Sequence, residues 1–138
     1  MTIQIYNTIT RQKEPLETLQ PDTVSMYVCG PTVYDNAHVG HAMSSLVFDI
    51  MRRYLEFRGY QVRHVMNYTD VDDKIIMRAQ FEERDPFEIS EYYIKQYAEH
   101  LDALNILPAH VYPRVSTEID EIIKMIAGDT NNKYLKSK

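Results

Sequence analysis

The chain has 138 residues, 44% hydrophobic and 25% charged, a balance that suits one modest core. A net charge of −5 excludes a uniformly basic nucleic-acid surface, and a single cysteine excludes an internal disulfide. No stretch approaches the roughly 18 apolar residues of a membrane span, and "MTIQIYNTITRQKEP" lacks an apolar signal core, so a cytoplasmic protein with no membrane partner is expected.

In chain order, residues 24–28 ("VSMYV") are the first β-rich run, and they lead into a Gly-Pro loop. From His38 the pattern turns helical: Val39, Met43, Leu46, Ile50, Tyr54 and Phe57 recur every three or four residues and share one face. Gly59 is a fitting stop. Residues 61–66 ("QVRHVM") read as a short strand. Strand, loop, helix and strand make a βαβ unit, with the second strand parallel to the first and a right-handed crossover. The fold class is therefore α/β, and ligands are expected at the carboxyl ends of its strands. Arg52, Arg53, Arg58, Arg63 and His64 form one basic cluster, and Lys133, Lys136 and Lys138 another; both read as solvated surface.

A second loop, "NYTD" (67–70), follows at the same edge of the sheet. Thr69 or Asp70 is suited to cap a helix beginning near Val71, with Val71, Ile75 and Ala79 on one face. Asp85, Pro86 and Glu88 open another helix, as cap, first and third residue. Its apolar stripe is read as Phe87, Ile94, Tyr97, Leu101 and Leu104. Residues 107–113 are a linker or a short extended segment. Ser116 or Thr117 starts a last helix carrying Ile119, Ile122, Ile123 and Ile126 and ended by Gly128. Two units are expected: residues 1–127, and a polar tail, 128–138.

The chemistry concentrates in residues 29–42, "CGPTVYDNAHVGHA". His38 and His41 lie one turn apart at a helix start, where backbone N–H groups lack helical partners and the helix dipole favours anions. Gly40 leaves room for a flat ring or a phosphate to approach the backbone. Together these residues suit a polyphosphate. Cys29 alone is read three ways: buried apolar residue, reactive thiol or metal ligand. Acids at 70, 72 and 73 suit a first helical turn better than a metal site.

The loop with its His-x-Gly-His element resembles the ATP-binding signature of class I aminoacyl-tRNA synthetases. "CGPTVYD" upstream and "NYTDVDDKIIMRA" (67–79) downstream are similar to cysteinyl-tRNA synthetases, over about residues 3–127. The resemblance implies a Rossmann-like nucleotide-binding half-domain of an ATP-dependent cysteine–tRNA ligase. It implies that His38, Gly40 and His41 bind ATP, with Mg2+, and that His38 and His41 act catalytically by holding phosphate oxygens. It places Gly30 and Thr69 at the substrate cysteine, makes Cys29 one ligand of a Zn2+ ion that recognises the substrate thiolate, and implies tRNA-Cys as partner. Zinc favours soft sulfur, so it separates cysteine from serine or alanine better than an apolar pocket, where one methylene is worth about 1–3 kcal/mol. A related ligase joins cysteine to a glucosaminyl-inositol in mycothiol synthesis; its loop has Gly-Ile-Thr-Pro-Tyr-Asp where this chain has "GPTVYD", which favours the synthetase.

The chain departs from that family after Gly128, in "DTNNKYLKSK". The Lys-Met-Ser-Lys-Ser loop, the other half of the nucleotide fold, the remaining zinc ligands and the anticodon-binding domain have no counterpart here, and His64, His100 and His110 do not stand where ligands belong. A fragment or truncated product is therefore expected, weak in ATP binding, inactive alone, and prone to associate with itself or a complementary piece through an open sheet edge. A non-catalytic nucleotide-binding remnant and a small metal protein using Cys29, His38 and His41 are the other readings.

Overall fold

A computed structural model describes residues 2–129, with the side chain of Asp129 left out. The outer part of the expected polar tail and its lysines lie outside the described residues. The chain opens with a hairpin absent from the sequence reading. Strand β1 (Gln4–Asn7) pairs antiparallel with β2 (Gln12–Pro15), from Gln4 opposite Pro15 to Asn7 opposite Gln12. Arg11 takes a left-handed φ of 58° and donates its N–H to Asn7 O at 2.7 Å, closing the turn. Strands of four residues, each with two or three polar ones, carry no apolar run to announce them.

The βαβ unit follows as expected. Strand β3 (Thr23–Val28) and strand β4 (Gln61–Met66) run parallel, in register from Thr23 opposite Gln61 to Val28 opposite Met66, and helix α1 (Val39–Phe57) joins them. Gly59, at φ 91°, ends α1 with its N–H on Glu56 O. On the far side of β4, residues 110–114 run parallel to it: Met66 N–H donates to Val111 O at 3.1 Å and Tyr68 N–H to Pro113 O at 2.9 Å. Among the described residues β4 is the only strand alongside β3, so the other edge of β3 is open.

Helix α2 (Asp73–Glu82) is capped by Asp72, whose side chain accepts Lys74 N–H, and not by Thr69 or Asp70. Asp70 is buried and caps elsewhere. It accepts the N–H and hydroxyl of Ser116 at the start of helix α4 (Val115–Asp129), which runs through Gly128. Helix α3 (Pro86–Ala103) starts with Asp85 as cap and Pro86 in the first position, as read from sequence. Its buried stripe is Ile89, Tyr93, Tyr97 and Leu101, a four-residue step that faces Ile75 and Ala79 of α2 and Tyr68; Phe87 and Leu104 stay exposed.

The apolar face of α1 does share one side, but it is turned away from the sheet: Val39, Met43, Leu46, Ile50, Tyr54 and Phe57 are all exposed. The face against β4 is mixed, with Ser45, Asp49 and Leu55 buried. Asp49 accepts Leu107 N–H at 3.0 Å and Arg53 at 2.7 Å, and Arg52 donates to Pro108 O at 2.7 Å. The basic cluster is thus partly internal, since these arginines clamp α1 to residues 105–110 and His64 beneath them is only 4% exposed.

Candidate functional site

His38 ends the loop and caps α1. Its Nδ1 accepts Gly40 N–H at 3.0 Å, and His41 Nδ1 reaches back to His38 N–H at 3.3 Å. This is a capping box with histidine in both roles. The rings stack, centroids 3.9 Å apart. A nitrogen that accepts carries no proton, so each neutral ring holds its proton on Nε2. Both Nε2–H groups remain as donors without a partner among the described residues. Burial, then the neighbouring His38, holds the His41 pKa below its ordinary value, which keeps that ring neutral. Contrary to the sequence reading, the amides of this turn are not all left for an anion: the histidines take up two of them. The bareness of Gly40 serves first the His38 ring, which lies 2.8 Å from where a Cβ would stand.

Cys29 and Gly30 leave β3 and pass over the end of β4. A Cβ on Gly30 would fall 1.7 Å from Asn67 O, so only glycine fits there. Asn67 Oδ1 accepts both Gly30 N–H at 3.0 Å and the Tyr27 hydroxyl at 2.9 Å, while its Nδ2 donates to Thr69 Oγ1 at 3.3 Å. Thr69 donates its N–H to Pro31 O and accepts that of Val33, both at 3.1 Å. The loops after β3 and β4 are therefore one sewn structure. From α2, Lys74 lies over the Tyr34 ring and Arg78 pairs with Asp35, holding the outer part of the first loop.

A cleft of about 170 Å³ opens between this seam and α1. It brings Cys29, Gly30 and His41 together, with Thr32, Ser44, Ser45, Met66 and Tyr97. His38 and Gly40 do not line it, though the His38 ring stacks on His41, and Thr69 supports the seam without lining the cleft. Ser45 and Tyr97, whose hydroxyl oxygens are 2.7 Å apart, were not singled out from sequence as site residues. The available signal was the spacing of Ser45, one turn beyond His41. The Cys29 thiol is exposed, which removes the buried-residue reading. Among the described residues no three His, Cys, Asp or Glu side chains converge on a metal position, so they do not form a zinc site by themselves.

Residues 15–135 match the family described as tRNA synthetases class I (C) catalytic domain. The chain belongs to that family. Family members similar to it include the cysteine–tRNA ligases of Pyrococcus abyssi, 54% identical over 126 residues, and Gloeothece citriformis, 52% identical over 126 residues; each match covers 91% of this chain. The ligase of Methanococcus maripaludis is 52% identical over 124 residues, 90% of this chain. The chain spans 26% of the length of each of these relatives. A solved structure, Mycobacterium tuberculosis methionyl-tRNA synthetase in complex with methionyl-adenylate, superposes with a TM-score of 0.64 at 18% identity, covering 68% of this chain and 18% of that one. That likeness supports the class I, Rossmann-like α/β fold. Among the described residues no helix is long and apolar enough to cross a membrane.

Proposed function

We propose that the chain is the amino-terminal part of the catalytic domain of a cytoplasmic cysteine–tRNA ligase. The observation that carries this reading is the reciprocal histidine cap beside the Cys29 cleft, which leaves two neutral Nε2–H donors at a helix N-terminus. A cysteine carboxylate oxygen attacks the α-phosphorus of ATP, with Mg2+; the bond to pyrophosphate breaks and cysteinyl-adenylate forms. A terminal ribose hydroxyl of tRNA-Cys then attacks the carbonyl carbon, and AMP leaves. In the first step positioning and charge stabilisation dominate. His38 and His41 hold phosphate oxygens as charge builds on them, with Gly40 between them, and neither serves as a general base. Gly30 and Thr69 shape the place of the bound cysteine.

Cys29 would contribute one thiolate to a zinc ion that recognises the substrate sulfur, with the remaining ligands supplied from outside residues 2–129. By itself the chain binds ATP weakly and does not aminoacylate. Its open β3 edge and outward apolar α1 face lead it to associate with itself or with a complementary piece. The test is a chimera in which this chain replaces the matching segment of the Pyrococcus abyssi ligase. Cysteine-dependent ATP–pyrophosphate exchange is expected, and His41→Asn lowers its rate by about 10²-fold while moving the cysteine KM much less. Normal exchange in the His41→Asn chimera, or transfer of cysteine to a glucosaminyl-inositol in place of tRNA, overturns the reading.

A further inference from the structure

We propose that Tyr97 is a positioning residue of this site, setting the histidine turn of α1 against the loop that carries Thr69. The proposal rests on reading the cleft as the active site. Tyr97 sits on α3, far in sequence from both loops, yet its hydroxyl lies 2.7 Å from Ser45 Oγ, and both residues are buried, at 5% and 4% exposure. Ser45 is one turn beyond His41 on the same helix, so the hydroxyl pair fixes the depth at which that turn sits over the cleft. The Tyr97 ring also meets Tyr68 edge to face, with centroids 6.1 Å apart, and Tyr68 in turn stacks on Tyr112 at 5.1 Å. Tyr68 precedes Thr69, whose backbone is sewn to Pro31 and Val33. One side chain thus touches the histidine helix at its tip and the Thr69 loop at its edge. Burial raises the Tyr97 pKa, opposed by the Ser45 hydrogen bond, so the phenol stays protonated.

A role in packing alone predicts lower stability with unchanged chemistry; a positioning role predicts that both loops loosen together. Amide hydrogen exchange on the 138-residue chain separates the two. Tyr97→Phe, which removes only the hydroxyl, and Ser45→Ala, which removes the same bond from the other side, each speed exchange at Ala42 and Ser45 and at Val33 and Thr69. The expected increase is about tenfold, the size of one buried hydrogen bond. The double variant is no faster than either single one, because the two changes delete one interaction. In the Pyrococcus abyssi chimera the same variants lower kcat for pyrophosphate exchange by about tenfold, while the KM values for ATP and cysteine move less than about threefold. Faster exchange confined to α3, additive effects in the double variant, or an active chimera with unchanged kcat overturns the proposal. A chimera inactive before any of these substitutions defeats the ligase reading instead, and the exchange pattern of the 138-residue chain then decides the role of Tyr97.

Discussion

His41 Nδ1 accepts the backbone N–H of His38 at 3.3 Å while His38 Nδ1 accepts that of Gly40 at 3.0 Å, so each imidazole is committed at one nitrogen and offers the other outward. The same bonds that shape the turn also choose the tautomer. A proton on His41 Nδ1 would break its bond to the His38 N–H, which couples this half of the cap to pH.

Stability should therefore fall in mild acid. His41 and His64 are both held below the ordinary 6.5, His41 by burial and His38, His64 by burial, Arg52 and His110 against the opposing pull of Asp49. Well above pH 6.5 these rings are neutral folded or unfolded, and their effect on stability is constant. Below it the unfolded chain binds protons that the folded chain refuses, so stability drops until the folded rings protonate in turn. Urea denaturation between pH 8 and pH 5 checks this; a midpoint that stays level or rises on acidification contradicts it.

His64→Leu should stabilise the fold. Both ring nitrogens of His64 are buried without a hydrogen-bond partner, beneath Arg52 and Asp49 of α1. An apolar side chain there removes the orphaned polar atoms, worth about 1–2 kcal/mol, and flattens part of the acid response. Thermal unfolding at pH 7 and pH 5.5 measures both effects, and the gain should be larger at the lower pH.

Gly30→Ala should be among the most damaging single changes. The new Cβ would overlap Asn67 O, a backbone atom that moves only if the seam between the β3 and β4 loops opens. We expect a loss of about 3 kcal/mol or more, read as a lower urea midpoint, whereas Gly59→Asn, which meets no atom but strains a left-handed backbone, should cost only about 1 kcal/mol.

The sequence carried the βαβ unit and its loops well, because a strong helical period, two β-rich runs and turn residues agree there. Strand β4 and the start of α3 fall where the residues indicate. Three features were beyond local pattern. The hairpin strands are too short and polar to show a period. The caps of α2 and α4 depend on which of Thr69, Asp70 and Asp72 the tertiary fold directs at each helix, and Asp70 reaches Ser116 across 46 residues. The face that α1 buries is not its most apolar one, because Asp49 and Arg52 are satisfied by residues 105–110, which no periodicity can foresee. At the site, Cys29, Gly30, His38, Gly40 and His41 stand within one short stretch of sequence that runs from the loop into the first turn of α1, while Tyr97 and Asn67 gain their places only through long-range contact.

The most direct measurement is the nitrogen-15 spectrum of the imidazole rings in the 138-residue chain, titrated with ATP and magnesium at pH 7.5. The Nε2 signals of His38 and His41 should move together with added ATP, at high concentration, while those of His64 and His100 should not. ATP-dependent shifts that spare both Nε2 atoms, or a starting spectrum with the protons of these rings on Nδ1, would contradict this.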